Sequence, residues 1–192
     1  MVKINQDKLQ QFINWVEAES CDISNYLIPK DLDRLANQES LSILSYTNPL
    51  PLSIGSLTKL RSLSLRNNKV LHNNQEDKLP SSIVNLLNLE ELSLDYFNEL
   101  KGLENLLHLK NLKTLSISFY EVDSLPKELE ELTCEIKLHL NSKGKLPDNL
   151  LQIKNLTELS IYDDYLKEFP MNLDGLKEMT VLKLNCNSLR NL

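Results

Sequence analysis

Residues that could carry chemistry are few in this chain of 192 residues, which contains three cysteines and three histidines. A nucleophilic site would need a thiol beside a base, and the candidates are Cys134, Cys186 and His139. Cys186 lies two periods of a repeating pattern away from His139, which places the two side chains roughly 10 Å apart with another strand between them. Acids such as Asp95 and Asp163 are the other candidates. Because these candidate groups are not expected to lie close together, we predict that the chain is not an enzyme.

Metal and phosphate sites are not indicated either. The histidines, His72, His108 and His139, occupy different parts of the repeating pattern and are not expected to converge as metal ligands. The four glycines stand far apart and do not form a phosphate-binding loop. We expect no metal and no cofactor.

Charge and hydropathy favour a protein that binds neither nucleic acid nor membranes. The net charge of −6 gives no excess of basic residues with which to neutralise phosphates or anionic lipids. No run approaches the roughly 18 apolar residues of a membrane span, and residues 1–8 lack the apolar core of a secretory signal. The odd number of cysteines, without paired spacing, predicts reduced thiols. A cytoplasmic location follows, although secretion into a host by a specialised route would leave no such signal.

The dominant feature of the sequence is a repeat of about 23 residues. The motif at 60–65, Leu-Arg-Ser-Leu-Ser-Leu, recurs with the same apolar spacing at 89–94, 112–117 and 156–161. With weaker copies included, seven motifs begin near residues 38, 60, 89, 112, 135, 156 and 179. The step from 60 to 89 is longer because a polar insertion falls at about 72–77. Self-similarity at a period of this length is the signature of a stacked repeat array.

Each period contains the parts of one supersecondary unit. The last two leucines of Leu-x-x-Leu-x-Leu alternate with polar residues, so they face the same side of a short strand. A Leu-Pro or Phe-Pro pair follows in five copies and ends the strand, since proline removes a backbone donor. Apolar residues three apart then suit a single helical or 3-10 turn. No unit of this size buries its own apolar side, so the units must stack on one another.

These motifs resemble the leucine-rich-repeat family, in the intracellular or bacterial form with the unit Leu-x-x-Leu-x-Leu-x-x-Asn-x-Leu-x-x-Leu-Pro-x-x-Leu-x-x-Leu. The resemblance covers 38–192. It implies an α/β fold, a right-handed solenoid that curves like a horseshoe. A parallel β-sheet would line the concave side, and short helical or 3-10 segments would form the convex side. In the family, the asparagine at the ninth position bonds to the backbone of the turn. This chain has asparagine there in two of seven copies, and the sixth copy has Asp164.

The N-terminal part completes the predicted domain organisation. Residues 5–18 show the apolar stripe of an amphipathic helix, which we interpret as a cap over the open end of the core. A docking helix for a partner is the alternative. Residues 28–35 match the return half of a repeat. We therefore predict a cap at 1–37, made of a helix and a half-repeat, followed by seven repeats at 38–192.

The family resemblance also implies that partners dock on the concave face, through residues between the strand leucines. Tyr96 and Phe119 occupy equivalent places in adjacent repeats, with Tyr162 two repeats further on. Large exposed aromatic residues commonly anchor protein interfaces. The alternative is that Tyr96 and Phe119 turn inward while Phe97 and Tyr120 point outward. The predicted partner-binding residues are Arg66, Asp95, Tyr96, Lys113, Phe119, His139, Tyr162 and Asp163.

A row of mostly small polar residues is predicted to cross the same face. It consists of the middle residue of each Leu-x-Leu: Ser42, Ser64, Ser93, Ser116, His139, Ser160 and Lys183. Small hydroxyl side chains leave room for the backbone of a partner to approach. They equally suit the crowded inner side of a curved sheet.

Together these features predict a protein-interaction module that binds another protein, which the sequence does not identify, through its concave face. One alternative is a structural unit that self-associates as a homodimer. The last repeat begins near 179 with no recognisable polar cap after it, and an exposed edge strand invites pairing with a second chain. Fraying of that repeat is the other interpretation of the same feature. A bacterial effector with an activity not visible in the sequence is the last alternative.

Overall fold

The computed structural model describes residues 6–18, 28–46, 48–67, 77–97, 100–120, 122–169 and 173–190. Cys21, His72 and all of the predicted insertion except Asp77 lie outside these ranges. Within them the elements follow one another as the repeat predicts, with a strand, a short turn and then the next strand.

A seven-stranded parallel sheet is the main element. Its strands, in the order in which they pair, are β1 (Ser40–Tyr46), β2 (Ser62–Asn67), β4 (Glu91–Phe97), β6 (Thr114–Tyr120), β7 (Glu135–Asn141), β8 (Leu156–Tyr162) and β9 (Val181–Asn185). Two further strands, β3 (Asp77–Lys78) and β5 (Leu100–Lys101), form a separate parallel pair. Spatial neighbours in the large sheet always come from consecutive repeats. The predicted fold class, an α/β leucine-rich-repeat solenoid, is confirmed.

Most strands are connected to the next by a 3-10 turn that carries the other half of the core. These turns are Leu52–Ser56, Ser81–Asn85, Leu103–His108, Lys127–Glu130 and Leu150–Gln152. Pro51, Pro80 and Pro126 directly precede three of them, where the fixed φ of proline suits the start of a turn. The buried side chains of strands and turns form one continuous cluster along the chain. Each repeat therefore buries its apolar residues against its neighbours.

Two short helices precede the first strand. The α1 helix (Gln6–Ala18) buries the predicted stripe, and α2 (Leu32–Ala36) begins at Asp31, whose carboxylate accepts a hydrogen bond from the Arg34 N–H at 2.8 Å. Trp15 Nε1 donates to the Pro49 carbonyl at 3.0 Å, so α1 is attached to the first repeat. The division into a cap at 1–37 and repeats at 38–192 stays a prediction. Among the described residues, no helix is long and apolar enough to cross a membrane.

Asparagine side chains that directly precede three of the Leu-x-x-Leu-x-Leu motifs link successive repeats. Each donates from Nδ2 to a main-chain carbonyl of the preceding repeat: Asn88 to Thr58 at 2.8 Å, Asn111 to Leu87 at 2.7 Å and Asn155 to Leu132 at 2.6 Å. These bonds satisfy carbonyls that the short turns leave without a backbone donor. They also fix the position of one repeat along the next.

Within the Leu-x-Leu motifs, the strand register departs from the aligned repeats at one junction, between β6 and β7. The row of middle residues pairs as predicted in two separate groups: Ser42, Ser64, Ser93 and Ser116, and then His139, Ser160 and Lys183. Between the groups, Ser116 pairs with Lys137, and His139 pairs with Ser118. The prediction of one continuous row is wrong by two residues here.

The shift at this junction follows from the number of apolar residues in the two strands. Both β6 and β7 bury three alternating side chains, and Phe119 is the third in β6. Pairing Leu115 with Ile136 and Phe119 with Leu140 keeps all of them in the core. A displacement of two residues preserves the inward side of a strand, whereas a displacement of one would expose its apolar set.

Substitution of Gly55 tests how closely the turns of adjacent repeats pack. A Cβ at this position would overlap the Ser82 carbonyl oxygen and lie 2.7 Å from the Ser82 Cβ. We expect Gly55→Ala to lower the free energy of unfolding by about 1–3 kcal/mol, as overpacking of a core does. Urea unfolding followed by circular dichroism measures this loss. The control is Ser81→Ala, at an exposed position in the neighbouring turn, which should change stability by less than about 0.5 kcal/mol. An unchanged Gly55→Ala protein would contradict the packing described here.

Candidate functional site

Several of the predicted binding residues, among them Arg66, Asp95 and Tyr162, lie on the side of the large sheet that faces away from the core, which we call the open face. Its side chains alternate along each strand with the leucines that enter the core. Ion pairs cross this face between adjacent strands: Arg66 pairs with Asp95, and Lys183 pairs with Glu158. Just before the strands begin, Arg61 and Lys113 both pair with Glu90. Most charges of the open face therefore compensate one another locally.

A bulge in β4 turns Tyr96 outward. Alternation after Leu92 and Leu94 would send Tyr96 into the core, but the register shifts between Leu94 and Phe97. Tyr96 adopts a φ of 65°, in the left-handed region that a bulky residue rarely occupies. As a result Phe97 is buried and Tyr96 is 52% exposed. The outward position predicted for Tyr96 is thus observed, and the backbone at this residue is strained.

Phe119 does not lie beside Tyr96 on the open face, and this part of the prediction is wrong. Its side chain is 2% exposed and pairs across the sheet with Phe97 in the core. No bulge interrupts β6, so strict alternation after Leu115 and Ile117 directs Phe119 inward. The next residue, Tyr120, occupies the outward position instead and is exposed. The alternation Leu115, Ile117, Phe119 in the sequence was the signal that could have shown which of Phe119 and Tyr120 is buried and which is exposed.

Arg66, Asp95 and Tyr96 form a compact cluster at the end of β2 and β4. The Arg66 guanidinium carbon lies 5.6 Å from the centre of the Tyr96 ring, within the range of a cation–π contact. One of its nitrogens lies 3.6 Å from Asp95 Oδ2, which makes an ion pair but not a hydrogen bond. The other carboxylate oxygen of Asp95 accepts a hydrogen bond from Ser118 Oγ at 3.1 Å. The structure brings these three predicted residues together.

The cluster borders a depression of about 450 Å³, which we call the tyrosine hollow. Tyr96, Tyr120 and Tyr162 stand around it, and all three are exposed. His139 and Asn141 of β7 also line it. Tyr120, Asn141 and Tyr162 pair with one another across β6, β7 and β8, so they form a row along the ends of these strands. The volume lies within the range of about 300–1,000 Å³ that is usual for ligand sites.

His139 and Lys113 have different surroundings from those the sequence suggested. Half-buried His139 lines the hollow, and its Nε2 lies 3.4 Å from Ser116 Oγ. Lys113 precedes β6 at the other end of the strand, where its ammonium group pairs with Glu90 at 2.6 Å. The hydrogen bond from Lys113 and the charges of Lys113 and Arg61 lower the pKa of the Glu90 carboxyl despite some burial. Lys113 does not line the hollow.

Asp163 is a structural residue of the turn after β8, so its predicted exposure on the open face is wrong. The side chain is 3% exposed, and its carboxylate accepts hydrogen bonds from Ser142 Oγ (2.8 Å) and from the main-chain N–H groups of Gly144 (2.6 Å), Tyr165 (2.7 Å) and Leu166 (3.0 Å). Burial acts to raise the pKa of Asp163, but these bonds outweigh it and hold the pKa below its usual value. Asp163 thus bonds to the turn backbone, one residue before the ninth position where the family resemblance placed that role.

The thiols and histidines do not assemble into a reactive group in the part of the chain that the structure describes. Cys186 follows β9, and β8 separates it from His139 on β7. Burial raises the pKa of the Cys134 thiol to about 11 and also raises that of half-buried Cys186, which disfavours the thiolate. No three His, Cys, Asp or Glu side chains among the described residues are grouped so as to hold a metal ion.

A larger groove of about 990 Å³ lies between β5 and residues 122–126. Among the residues that line it, the only aromatic side chain is Tyr120, which it shares with the tyrosine hollow. Charged side chains of both signs surround the rest: Lys78, Lys101, Glu104, Asp123 and Glu128. We place the candidate site at the smaller hollow, because its aromatic rings and the Arg66 cluster provide defined contacts.

Comparison with known proteins adds a similarity in fold. No family model matches the sequence, and no curated protein matches it significantly. Among solved structures, a leucine-rich-repeat protein of Leptospira interrogans is similar, with 21% identity and a TM-score of 0.47 over 92% of this chain. This chain spans 58% of the length of that one. The assignment of the fold therefore rests on the repeats and the sheet of this chain itself.

Replacing Asp163 tests its role in the turn. Asp163→Asn keeps the size of the side chain but removes the charge that strengthens the hydrogen bonds, so we expect a loss of about 2–3 kcal/mol of unfolding free energy at pH 7. The pKa of Asp163 is lower in the folded than in the unfolded protein. The stabilisation by its charge is therefore fully present above the unfolded pKa of about 3.9, and it is lost as the pH falls through the folded-state pKa. Urea titrations from pH 7 to pH 2 should therefore show wild type and variant converging in acid. The matched control is Asp164→Asn, at an exposed neighbour, with an expected change below about 0.5 kcal/mol. A constant difference at all pH values would contradict this explanation.

Proposed function

From the leucine-rich-repeat fold of this chain, we propose that it is a protein-interaction module whose open face binds a partner protein at the tyrosine hollow. The observation that carries the proposal is Tyr96, held outward in a strained backbone conformation at the edge of the hollow. A left-handed φ costs a bulky residue on the order of 1–3 kcal/mol. Glycine or asparagine would avoid most of that cost, so retention of a tyrosine here points to a use for its side chain.

The surroundings of Tyr96 support the proposal. Tyrosine is enriched among the residues that contribute most to protein interfaces, because it combines a large apolar ring with a hydroxyl group. Three tyrosines surround one depression here, and each is supported by a strand of the same sheet. Arg66 lies against Tyr96 and pairs with Asp95, whose carboxylate accepts a hydrogen bond from Ser118. Side chains fixed in this way lose little conformational entropy on binding, which favours affinity.

The charges of the open face also favour a protein as the partner. Acidic and basic groups pair between strands, so the described part of the face has no continuous basic row with which to follow a phosphate backbone. Protein surfaces commonly combine an aromatic centre with paired charges at the rim. The described part of the face has this composition.

Tyr96→Asn separates binding from stability. Asparagine tolerates a left-handed φ, so relief of strain should offset the lost contact with Arg66, and the free energy of unfolding should stay equal or rise by up to about 1 kcal/mol. Binding should nevertheless be lost, as it should in Tyr162→Ala. Immobilised wild type and variants are incubated with an extract of the source organism, and captured proteins are quantified by mass spectrometry.

The matched control for this experiment is Tyr165→Ala, which removes an exposed tyrosine that does not line the hollow. A partner of the open face is captured by wild type and by Tyr165→Ala but not by the two hollow variants. Equal capture by all four proteins would refute the proposed site.

Self-association through β9 is a second candidate, favoured by the exposure of one residue. Leu182 of β9 is 38% exposed, whereas its register partner Leu159 in β8 is fully buried. The outer edge of β9 has no strand beside it within the described residues. An exposed parallel edge with apolar side chains is a surface to which a second chain could add a strand.

Light scattering after size-exclusion chromatography distinguishes the two candidates. If the open face alone mediates binding, the isolated chain should have a mass near 22.1 kDa at every concentration tested. If β9 mediates association, the mass should approach twice that value, and Leu182→Lys should restore the monomer because a charge disrupts an apolar edge contact. A dimer that survives Leu182→Lys would exclude the β9 edge as its interface.

A further inference from the structure

The described residues that line the tyrosine hollow include many hydrogen-bond donors and one anionic group. Arg66 alone carries five N–H donors. Asn141 and Tyr162 add further donors, and neither side chain forms a hydrogen bond to another described residue. The anionic group is Asp95, and both of its oxygens are engaged, one by Ser118 and the other by Arg66. A ligand that enters the hollow therefore encounters donors in need of an acceptor.

Arg66 has donors to spare for such an acceptor. Its contact with Asp95 is made by one nitrogen at 3.6 Å, which is longer than a hydrogen bond. The guanidinium also makes a cation–π contact with the Tyr96 ring, which does not require its N–H groups as hydrogen-bond donors. A planar guanidinium presents its N–H groups in a fork that matches the two oxygens of a carboxylate. The contacts with Tyr96 and Asp95 restrain the guanidinium at the hollow before any ligand arrives.

The overall negative charge of the chain does not prevent an acidic group from binding at this position. Salt screens exposed charges beyond about 8 Å at physiological ionic strength, so the excess of acids elsewhere on the chain acts weakly on the hollow. Asp95, the acid among the described lining residues, shares the guanidinium with an incoming carboxylate. Since each carboxylate uses at most two of the five N–H groups, one guanidinium accommodates both.

We propose that the tyrosine hollow binds an aspartate or glutamate side chain of the partner protein, with Arg66 pairing with the carboxylate. Tyr96 and Tyr162 pack against apolar side chains beside that acid. A volume of about 450 Å³ exceeds what a single carboxylate needs and leaves room for such neighbours. This inference rests on the proposed function, since it specifies the chemistry of the partner at the same site.

A random 12-residue peptide library displayed on phage tests the inference without knowledge of the natural partner. Selection on the wild-type protein should enrich peptides in which Asp or Glu stands beside an aromatic or aliphatic residue. Replacing that acid by Asn or Gln in a synthetic peptide should weaken binding about tenfold, as measured by fluorescence anisotropy. In Arg66→Gln the acidic and amide peptides should bind equally, because the group that distinguishes them is gone.

Arg61→Gln is the matched control, an exposed arginine on the same sheet whose described pairing is with Glu90, away from the hollow. It should retain the tenfold preference for the acidic peptide. Enrichment of basic or uncharged peptides, failure to select any peptide, or equal binding of acid and amide by wild type would overturn the inference.

The two proposals fail separately. Peptides that lose binding in Tyr96→Asn but show no preference for acids refute the carboxylate and leave the open-face site intact. Peptides indifferent to both Tyr96→Asn and Tyr162→Ala refute the site itself.

Discussion

Burial of each repeat against its neighbours is the constraint on which the rest of the structure depends. A unit of one strand and one 3-10 turn has an apolar side that it does not cover alone, so its leucines reach near-complete burial only between two other units. This requirement fixes the spacing of the motifs and the parallel pairing of the strands. It also leaves every second strand residue on the open face, without a role in the core and available for binding.

The regular part of the structure was predictable because it follows from period and alternation. Leucine spacing gave the strands, and the prolines gave the turns that follow them, since both depend on local chemistry that recurs in every unit. The same alternation, applied through Ile117, would have placed Phe119 in the core. Where an aromatic pair follows the strand leucines, position in the repeat alone does not decide which ring turns inward. The first residue is buried in Phe119-Tyr120 and the second in Tyr96-Phe97, and in both pairs the phenylalanine is the buried ring.

The irregular part of the site was not predictable because it depends on single-residue events. One extra residue at the bulge reverses the faces of Tyr96 and Phe97, and only the left-handed φ of Tyr96 marks it. The shift between β6 and β7 depends on how three apolar pairs fit together across two strands, which a repeat alignment does not show. Asp163 was assigned to the surface, although four hydrogen bonds from two adjacent turns require it inside. These departures from the ideal repeat lie close to the tyrosine hollow, so the shape of the hollow depends on individual side chains and not on the repeat pattern.

The central claim is that the bulge and the alternation of β6 place the Tyr96, Tyr120 and Tyr162 rings outside while the Phe97 and Phe119 rings lie in the core. Paramagnetic relaxation by a soluble gadolinium chelate measures this directly, because it broadens the NMR signals of solvent-exposed rings. We expect strong broadening for the three tyrosine rings and little for the two phenylalanine rings, with exposed Tyr165 as the reference. Broadening of Phe119 together with protection of Tyr120 or Tyr96 would contradict the account, since the hollow would then lack the residues that define it.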